Sequence, residues 1–240
     1  MSFPKVLVGV TTYEGKDYIW KEFYANLLKL SYPNFEILIV DNTRNDKYYR
    51  KLLKRTKKDF NVRVVRVERG ENSRVAHANS LNKIREVVLS EGYDYFMSIE
   101  SDLLPPSDII ERLMSYKKEV VGCLYQIGFN GSETQPPRPC LFEVDRLPNG
   151  DMSTKNLSPS EGYSCFGMGV RQIHGCGLGC TLISRSLLDK FPFWYYLEDK
   201  IKHSDVLFYL DLHNAHIPAF VDTDIFIPHY NQDWKLVKDA

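Results

Sequence analysis

The stretch YDYFMSIESDLLPPSDII, residues 93–110, decides how the chain folds. Its first part, DYFMSIE (94–100), is apolar, as a strand buried on both faces would be. Its second part opens the segment PSDIIERLMSYKK (106–118), which has helical character with Pro106 near the first turn. Between them stand two acids one residue apart, Glu100 and Asp102, just before a proline pair.

The same alternation runs outward from this unit. Upstream, KVLVGVT (5–11), FEILIVDN (35–42) and VRVVRVE (62–68) read as strands. Three helices separate them from one another and from 94–100: DYIWKEFYANLLKL (17–30), with Ile19, Phe23, Leu27 and Leu30 on one face; KYYRKLLKRTKK (47–58), with a basic face; and SRVAHANSLNKIREVVLS (73–90), with Ser73 as its cap. Downstream, EVVGCLY (119–125) reads as a strand. Strands alternating with helices predict an α/β domain whose parallel sheet carries helices on both faces.

The pattern changes after residue 125. GFNGSETQPPRP (128–139) and LPNGDMSTKNLSPSEG (147–162) are rich in loop formers, with CLFEV as hairpin material between them. Residues 126–175 therefore read as a variable insertion. Order returns with GLGCTLISRSLLDKF (177–191) and with the helix SDVLFYLDLHNAH (204–216), which leads into the strand AFVDT (219–223).

Composition narrows the function. The 240 residues carry 31 basic and 31 acidic side chains, so no electrostatic footprint for nucleic acid exists. With 43% hydrophobic and 26% charged residues, the chain reads as globular and soluble. Its apolar runs are short, and MSFPKVLVGV has no signal-peptide core, which predicts a cytoplasmic protein. The five cysteines lack Cys-x-x-Cys spacing and read as reduced thiols.

In an open parallel sheet, ligands bind beyond the carboxyl ends of the strands. Thr11, Thr12, Tyr13 and Glu14 follow the first predicted strand, Asp41 and Asn42 the second, Glu68 and Arg69 the third, and Glu100 and Asp102 the fourth. These groups converge on one rim. Two carboxylates so close repel unless a cation joins them, and hard oxygen ligands suit Mg²⁺ or Mn²⁺. The pair is thus placed to hold a metal and, through it, a diphosphate. The plainer reading makes them loop-capping acids.

The chain resembles a family-2 glycosyltransferase of the GT-A fold, a Rossmann-like half fused to an acceptor half. The family's Asp-x-Asp motif is here ESD, with Glu for the first Asp. By that resemblance Asp102 binds the metal, and Glu100 faces the ribose or the metal. VGVTTYEG is similar to the family's opening strand and places Thr11, Tyr13 and Glu14 at the nucleotide base. ILIVDN places Asp41 at the base or ribose. RGENSRVAHANSLNKI resembles the segment that closes over the nucleotide, with Arg69, Arg74 and Asn79 as candidates. HGCGLGCTLISRSLL resembles the glycine-rich acceptor-side strand. SDVLFYLDLHNAHIPAFVDTDIFIPHY resembles the catalytic-base helix followed by a strand and a histidine, so Asp205 maps onto the base and His229 onto a metal ligand. The implied halves are residues 1–125 for the nucleotide-sugar and 126–240 for acceptor binding and catalysis.

The implied reaction moves a sugar, as a hexosyltransferase would, from a UDP- or GDP-linked donor to a hydroxyl of a glycan, lipid or protein, with Mn²⁺ or Mg²⁺ as cofactor. A lipid acceptor would be met by peripheral membrane contact. One base and one displacement imply inversion. Trp194 and Tyr195 in FPFWYYL (191–197) are the acceptor-stacking candidates, with Phe191 and Phe193 read as core. Plainer readings exist: Ser204 or Asp205 as a helix cap, Glu198 and Asp199 as rival acids, His229 as structural, and Asp222 and Asp224 as strand-end loop acids. His77 and His174 have no partner that spacing identifies. The basic run RKLLKRTKK reads as a solvated helix face. A nucleotidyltransferase would need a glycine- and arginine-rich loop after the first strand, and TTYEGKDY has one glycine and no arginine. The altered ESD motif also admits a non-catalytic module binding sugar-nucleotide or glycan on the same fold.

Overall fold

The computed structural model describes residues 3–128, 136–148, 150, 152–196 and 203–230. In chain order the elements are β1 (Val6–Thr12), α1 (Trp20–Leu27), β2 (Phe35–Asp41), α2 (Lys47–Thr56), β3 (Val62–Arg66), α3 (Ser73–Ser90), β4 (Tyr95–Ile99), α4 (Ile109–Ser115) and β5 (Val120–Ile127). There follow β6 (Arg138–Pro139), β7 (Leu141–Arg146), β8 (Met152–Asn156), α5 (Pro159–Ser164), β9 (Val170–Ile173), β10 (Gly175–Cys176), β11 (Cys180–Ser184), α6 (Arg185–Lys190), α7 (Ser204–Asn214) and β12 (Ala219–Ile227).

One nine-stranded sheet runs β3-β2-β1-β4-β11-β5-β12-β9, with β6 on β5. β1, β2, β3 and β4 pair in parallel, as do β5 and β12. β11 is antiparallel to both β4 and β5, and β9 is antiparallel to β12. The sheet is therefore mostly parallel, with reversed strands in its second half. The segment read as an insertion supplies β6, β9 and a small antiparallel sheet, β10-β7-β8.

Alternation along β1 explains its unbroken apolar run. Leu7 packs with Leu81 and Ile84 of α3 on one face. Val6, Val8 and Val10 pack with Phe23 and Leu27 of α1 on the other. Both faces are covered, so no position is left for a polar residue. Gly9 lets α3 lie close: a Cβ there would stand 2.5 Å from Phe96 and 2.6 Å from Ile84.

Several boundaries differ from the sequence reading. Asn72, not Ser73, caps α3; its backbone is still extended, and its side chain accepts the N–H groups of Arg74 and Val75. The helix at 17–30 opens with a 3-10 turn, Glu14–Ile19, and ends at Leu27. The helix at 106–118 is confined to Ile109–Ser115, so Pro106 precedes it. Asp222 is not a strand-end loop acid. It lies inside β12, which bulges between Asp222 and Phe226. Its buried carboxylate is matched by Arg112 Nε at 2.6 Å and Tyr116 Oη at 2.8 Å. The basic face of α2 is tied up as expected of a solvated surface, with Lys51 and Arg55 on Asp17 and Arg50 on Asp46.

Candidate active site

Three connections assemble the site at the carboxyl end of β4. Glu100 leaves the strand with its N–H on Gly179 O at 2.8 Å, and Leu103 N–H returns to Glu100 O at 3.0 Å. This turn directs both acids to the rim. The segment after β12 then pairs across it: Leu103 and His229 form an antiparallel bridge, and Tyr230 N–H donates to Asp102 O at 2.9 Å. That bridge carries His229 to Asp102 from 127 residues away, Nε2 to Oδ2 at 3.1 Å. The 3-10 turn after β1 delivers Lys16, whose Nζ lies 2.5 Å from the same Oδ2.

Glu100, Asp102 and His229 offer ligand atoms that all lie within 4.8 Å of one another. The donor set fits a divalent ion, with two carboxylates and one imidazole. His229 Nδ1 faces the Gln126 carbonyl at 2.7 Å. A carbonyl only accepts, so Nδ1 carries the proton and Nε2 points its lone pair at the cluster when the ring is neutral. Metal-binding histidines are commonly fixed by such an outer hydrogen bond. The Tyr125 ring meets the His229 ring edge-on at 5.6 Å, and Tyr125 Oη receives Gly179 N–H at 3.2 Å.

The charges answer one another. Burial and the neighbouring Asp102 push the Glu100 carboxyl up to about 7. Asp102 is also buried, which opposes ionisation, yet the His229 hydrogen bond and the Lys16 charge hold it below the usual carboxylate range. Burial works against charged His229 and Lys16, but Asp102 raises both. Shifted carboxyls beside specific charge partners in a cleft mark a candidate functional site.

A cavity of about 340 Å³ opens beside this cluster, lined by Thr11, Tyr13, Lys16, Arg69, Glu100, Asp102 and Asp205 among others. Along one wall the Arg69 guanidinium lies 5.0 Å from the Tyr13 ring centroid and donates to Asn42 Oδ1 at 3.0 Å. Asn42 in turn donates to Ser80 Oγ at 3.1 Å. On another side α7 presents Asp205 in its first turn, where Oδ1 accepts Val206 N–H at 2.8 Å. Buried Ser204 meets His77 Nδ1 at 2.9 Å. Burial lowers the His77 pKa despite the Asp205 charge.

The structure thus brings Thr11, Tyr13, Arg69, Glu100, Asp102 and Asp205 to one cavity, with His229 behind Asp102. Other candidates lie outside the lining. Asp41 is fully buried and turned onto Thr43, accepting its N–H at 3.0 Å and its hydroxyl at 2.7 Å. Thr43 Oγ1 also receives Glu14 N–H at 2.9 Å, so Asp41 and Glu14 brace the rim from below. Arg74 sits in the first turn of α3, and Asn79 ties α3 to Glu68 O at 3.3 Å. Trp194 and Tyr195 are exposed after α6 and do not line the cavity, whereas Phe193 is buried as expected of core. Glu198 and Asp199 lie outside the described residues. His174 accepts Val144 N–H at 3.0 Å, away from the site. Sequence reasoning passed over Lys16 and the pairing of His77 with Ser204; its plainer reading makes Ser204 or Asp205 a helix cap, but His203 holds the cap position of α7.

The chain belongs to glycosyl transferase family 2, whose family model matches residues 7–191. Among solved structures, the crystal structure of residues 1–349 of S. aureus TarS is similar, with a TM-score of 0.59 at 16% identity. The match covers 94% of this chain and 60% of that one. Among curated proteins no match was found. The fold is GT-A. Among the described residues no helix is long and apolar enough to cross a membrane.

Proposed function

We propose that the chain is a metal-dependent glycosyltransferase that moves a hexose from a UDP- or GDP-sugar to a hydroxyl acceptor with inversion. The observation that carries this reading is the meeting of Glu100, Asp102 and Asp205 on one cavity, with His229 bonded to Asp102. Asp102, Glu100 and His229 would hold Mn²⁺ or Mg²⁺, which supplies Lewis-acid neutralisation of charge developing on the departing diphosphate. The chain's own groups do the rest.

Thr11 and Tyr13 at the end of β1, stiffened by Arg69 and Asn42, receive the base and ribose. Asp41 and Glu14 keep that rim rigid, and Arg74 and Asn79 hold the first turns of α3 over the nucleotide. Asp205 accepts the proton of the acceptor hydroxyl as the new bond forms. An acceptor hydroxyl is a weak nucleophile, and a placed base contributes roughly 10²–10⁴ in rate. The reversed strands and small sheet of residues 126–240 form the acceptor side, with Trp194 and Tyr195 exposed for stacking on a glycan. The halves 1–125 and 126–240 share one sheet, so they act as one catalytic domain. The protein works in the cytoplasm, and a lipid acceptor is met at the membrane surface.

Asp205→Asn tests the assignment. With Mn²⁺, a panel of UDP- and GDP-sugars and glycan acceptors, the variant should lose about 10²–10⁴ of transfer rate. Its affinity for Mn²⁺ and nucleoside diphosphate should stay at the wild-type value. A transfer rate within tenfold of wild type removes Asp205 from the role.

A further inference from the structure

We propose that Lys16 is a tethered cation that competes with the divalent ion for Asp102 and passes to the donor's diphosphate when the ion binds. This rests on the metal-dependent reading given above.

Three observations carry it. First, the Lys16 ammonium contacts Asp102 Oδ2 at 2.5 Å, the same oxygen that His229 Nε2 approaches at 3.1 Å. An ion of the Mn²⁺ or Mg²⁺ kind sits about 2.0–2.2 Å from a carboxylate oxygen and needs those lone pairs. Ammonium and ion therefore compete for Oδ2, and their like charges oppose joint occupancy at this separation.

Second, the contact is built rather than casual. Asp102 is 1% exposed and the Lys16 side chain 20% exposed. The 3-10 turn that carries Lys16 is pinned by Glu14 N–H on Thr43 Oγ1 at 2.9 Å and by the Tyr18 hydroxyl on the Tyr230 carbonyl. The Tyr230 N–H is itself bonded to Asp102 O. The turn, the acid loop and the segment at Tyr230 are thus hydrogen-bonded to one another, and the lysine stem is the part left without such a tie along its length.

Third, the displaced ammonium has a place to go. Lys16 lines the cavity, as does Arg69. Its four-carbon stem can turn from Asp102 into that space while keeping its charge beside an incoming diphosphate. A lysine whose only task was to buttress Asp102 would behave oppositely, since its removal would loosen the acid and weaken ion binding.

The test is Mn²⁺ titration of the full chain without nucleotide, followed by electron paramagnetic resonance of free Mn²⁺. Lys16→Met and Lys16→Gln should bind Mn²⁺ at least about fivefold tighter than wild type, the lower edge of usual site-to-site coupling. Lys16→Arg, which keeps the competing charge, should stay near wild type. Inorganic pyrophosphate should tighten Mn²⁺ binding more in wild type than in Lys16→Met. Equal or weaker Mn²⁺ binding in both neutral variants, folded by circular dichroism, overturns the role of Lys16 and leaves the metal reading standing. No Mn²⁺ binding by any folded form, or equal binding by Asp102→Asn, overturns the metal reading and this inference with it.

Discussion

Asp102→Asn probes the site with the least change of shape. In the wild-type fold Asp102 Oδ2 takes the Lys16 ammonium at 2.5 Å and His229 Nε2 at 3.1 Å, with the acid 1% exposed. Removing one partner of a fully buried ion pair costs about 3–5 kcal/mol. Two features of this site reduce that figure. Lys16 keeps a fifth of its side chain in water. Glu100, held up at about 7 by burial and by Asp102, ionises more readily once its neighbour is neutral and takes over part of the Lys16 charge. A net loss of roughly 1–3 kcal/mol is expected without metal, or about 2–12 °C in Tm for a chain of this size. Mn²⁺ binding should fall further, by more than about 100-fold, because even outer-shell changes cost 10–100-fold. Thermal unfolding in chelator and Mn²⁺ titration read the two effects separately. A metal-free Tm within about 1 °C of wild type, together with a Mn²⁺ Kd within about threefold, would refute the electrostatic account of the cluster.

Asp222→Asn tests the second buried acid, far from the cavity. Burial raises its pKa, but Arg112, Tyr116 and the Asp224 N–H together hold it below the ordinary value of 3.8. A depressed folded pKa contributes stability above that ordinary value and loses it as pH falls through the folded one. The variant should therefore lose about 2–4 kcal/mol in urea at pH 7, and the gap should narrow as pH falls below about 4. A gap unchanged by pH sinks the linkage. Asn72→Ala should cost about 0.5–2 kcal/mol, because two N–H groups at the start of α3 lose their acceptor, whereas Ser73→Ala should be near neutral. Equal urea midpoints for the two variants would show that Asn72 is not the cap.

The parallel half of the fold was legible because its signals are local. Each of β1, β2 and β4 is apolar on both faces, and only a doubly covered strand tolerates that. The reversed strands were not legible as such. Direction is set by pairing: β11 takes its antiparallel place between β4 and β5 through backbone hydrogen bonds that leave no mark on the residues CTLIS. The acids of the site could be read because a charge at the end of a buried strand is costly without a purpose, so Glu100 and Asp102 stand out against their apolar approach. Asp222 misled for the same reason in reverse. It sits in the middle of a strand, and what permits it there is Arg112, 110 residues away. Lys16 is the instructive omission. A lysine near a strand end is unremarkable in sequence, and its meaning comes wholly from the 86 residues that separate it from Asp102 and the 2.5 Å that remain in space. Acids mark where charge is needed, but the cation that answers them is supplied by topology. A search confined to carboxylates therefore finds half of an electrostatic site.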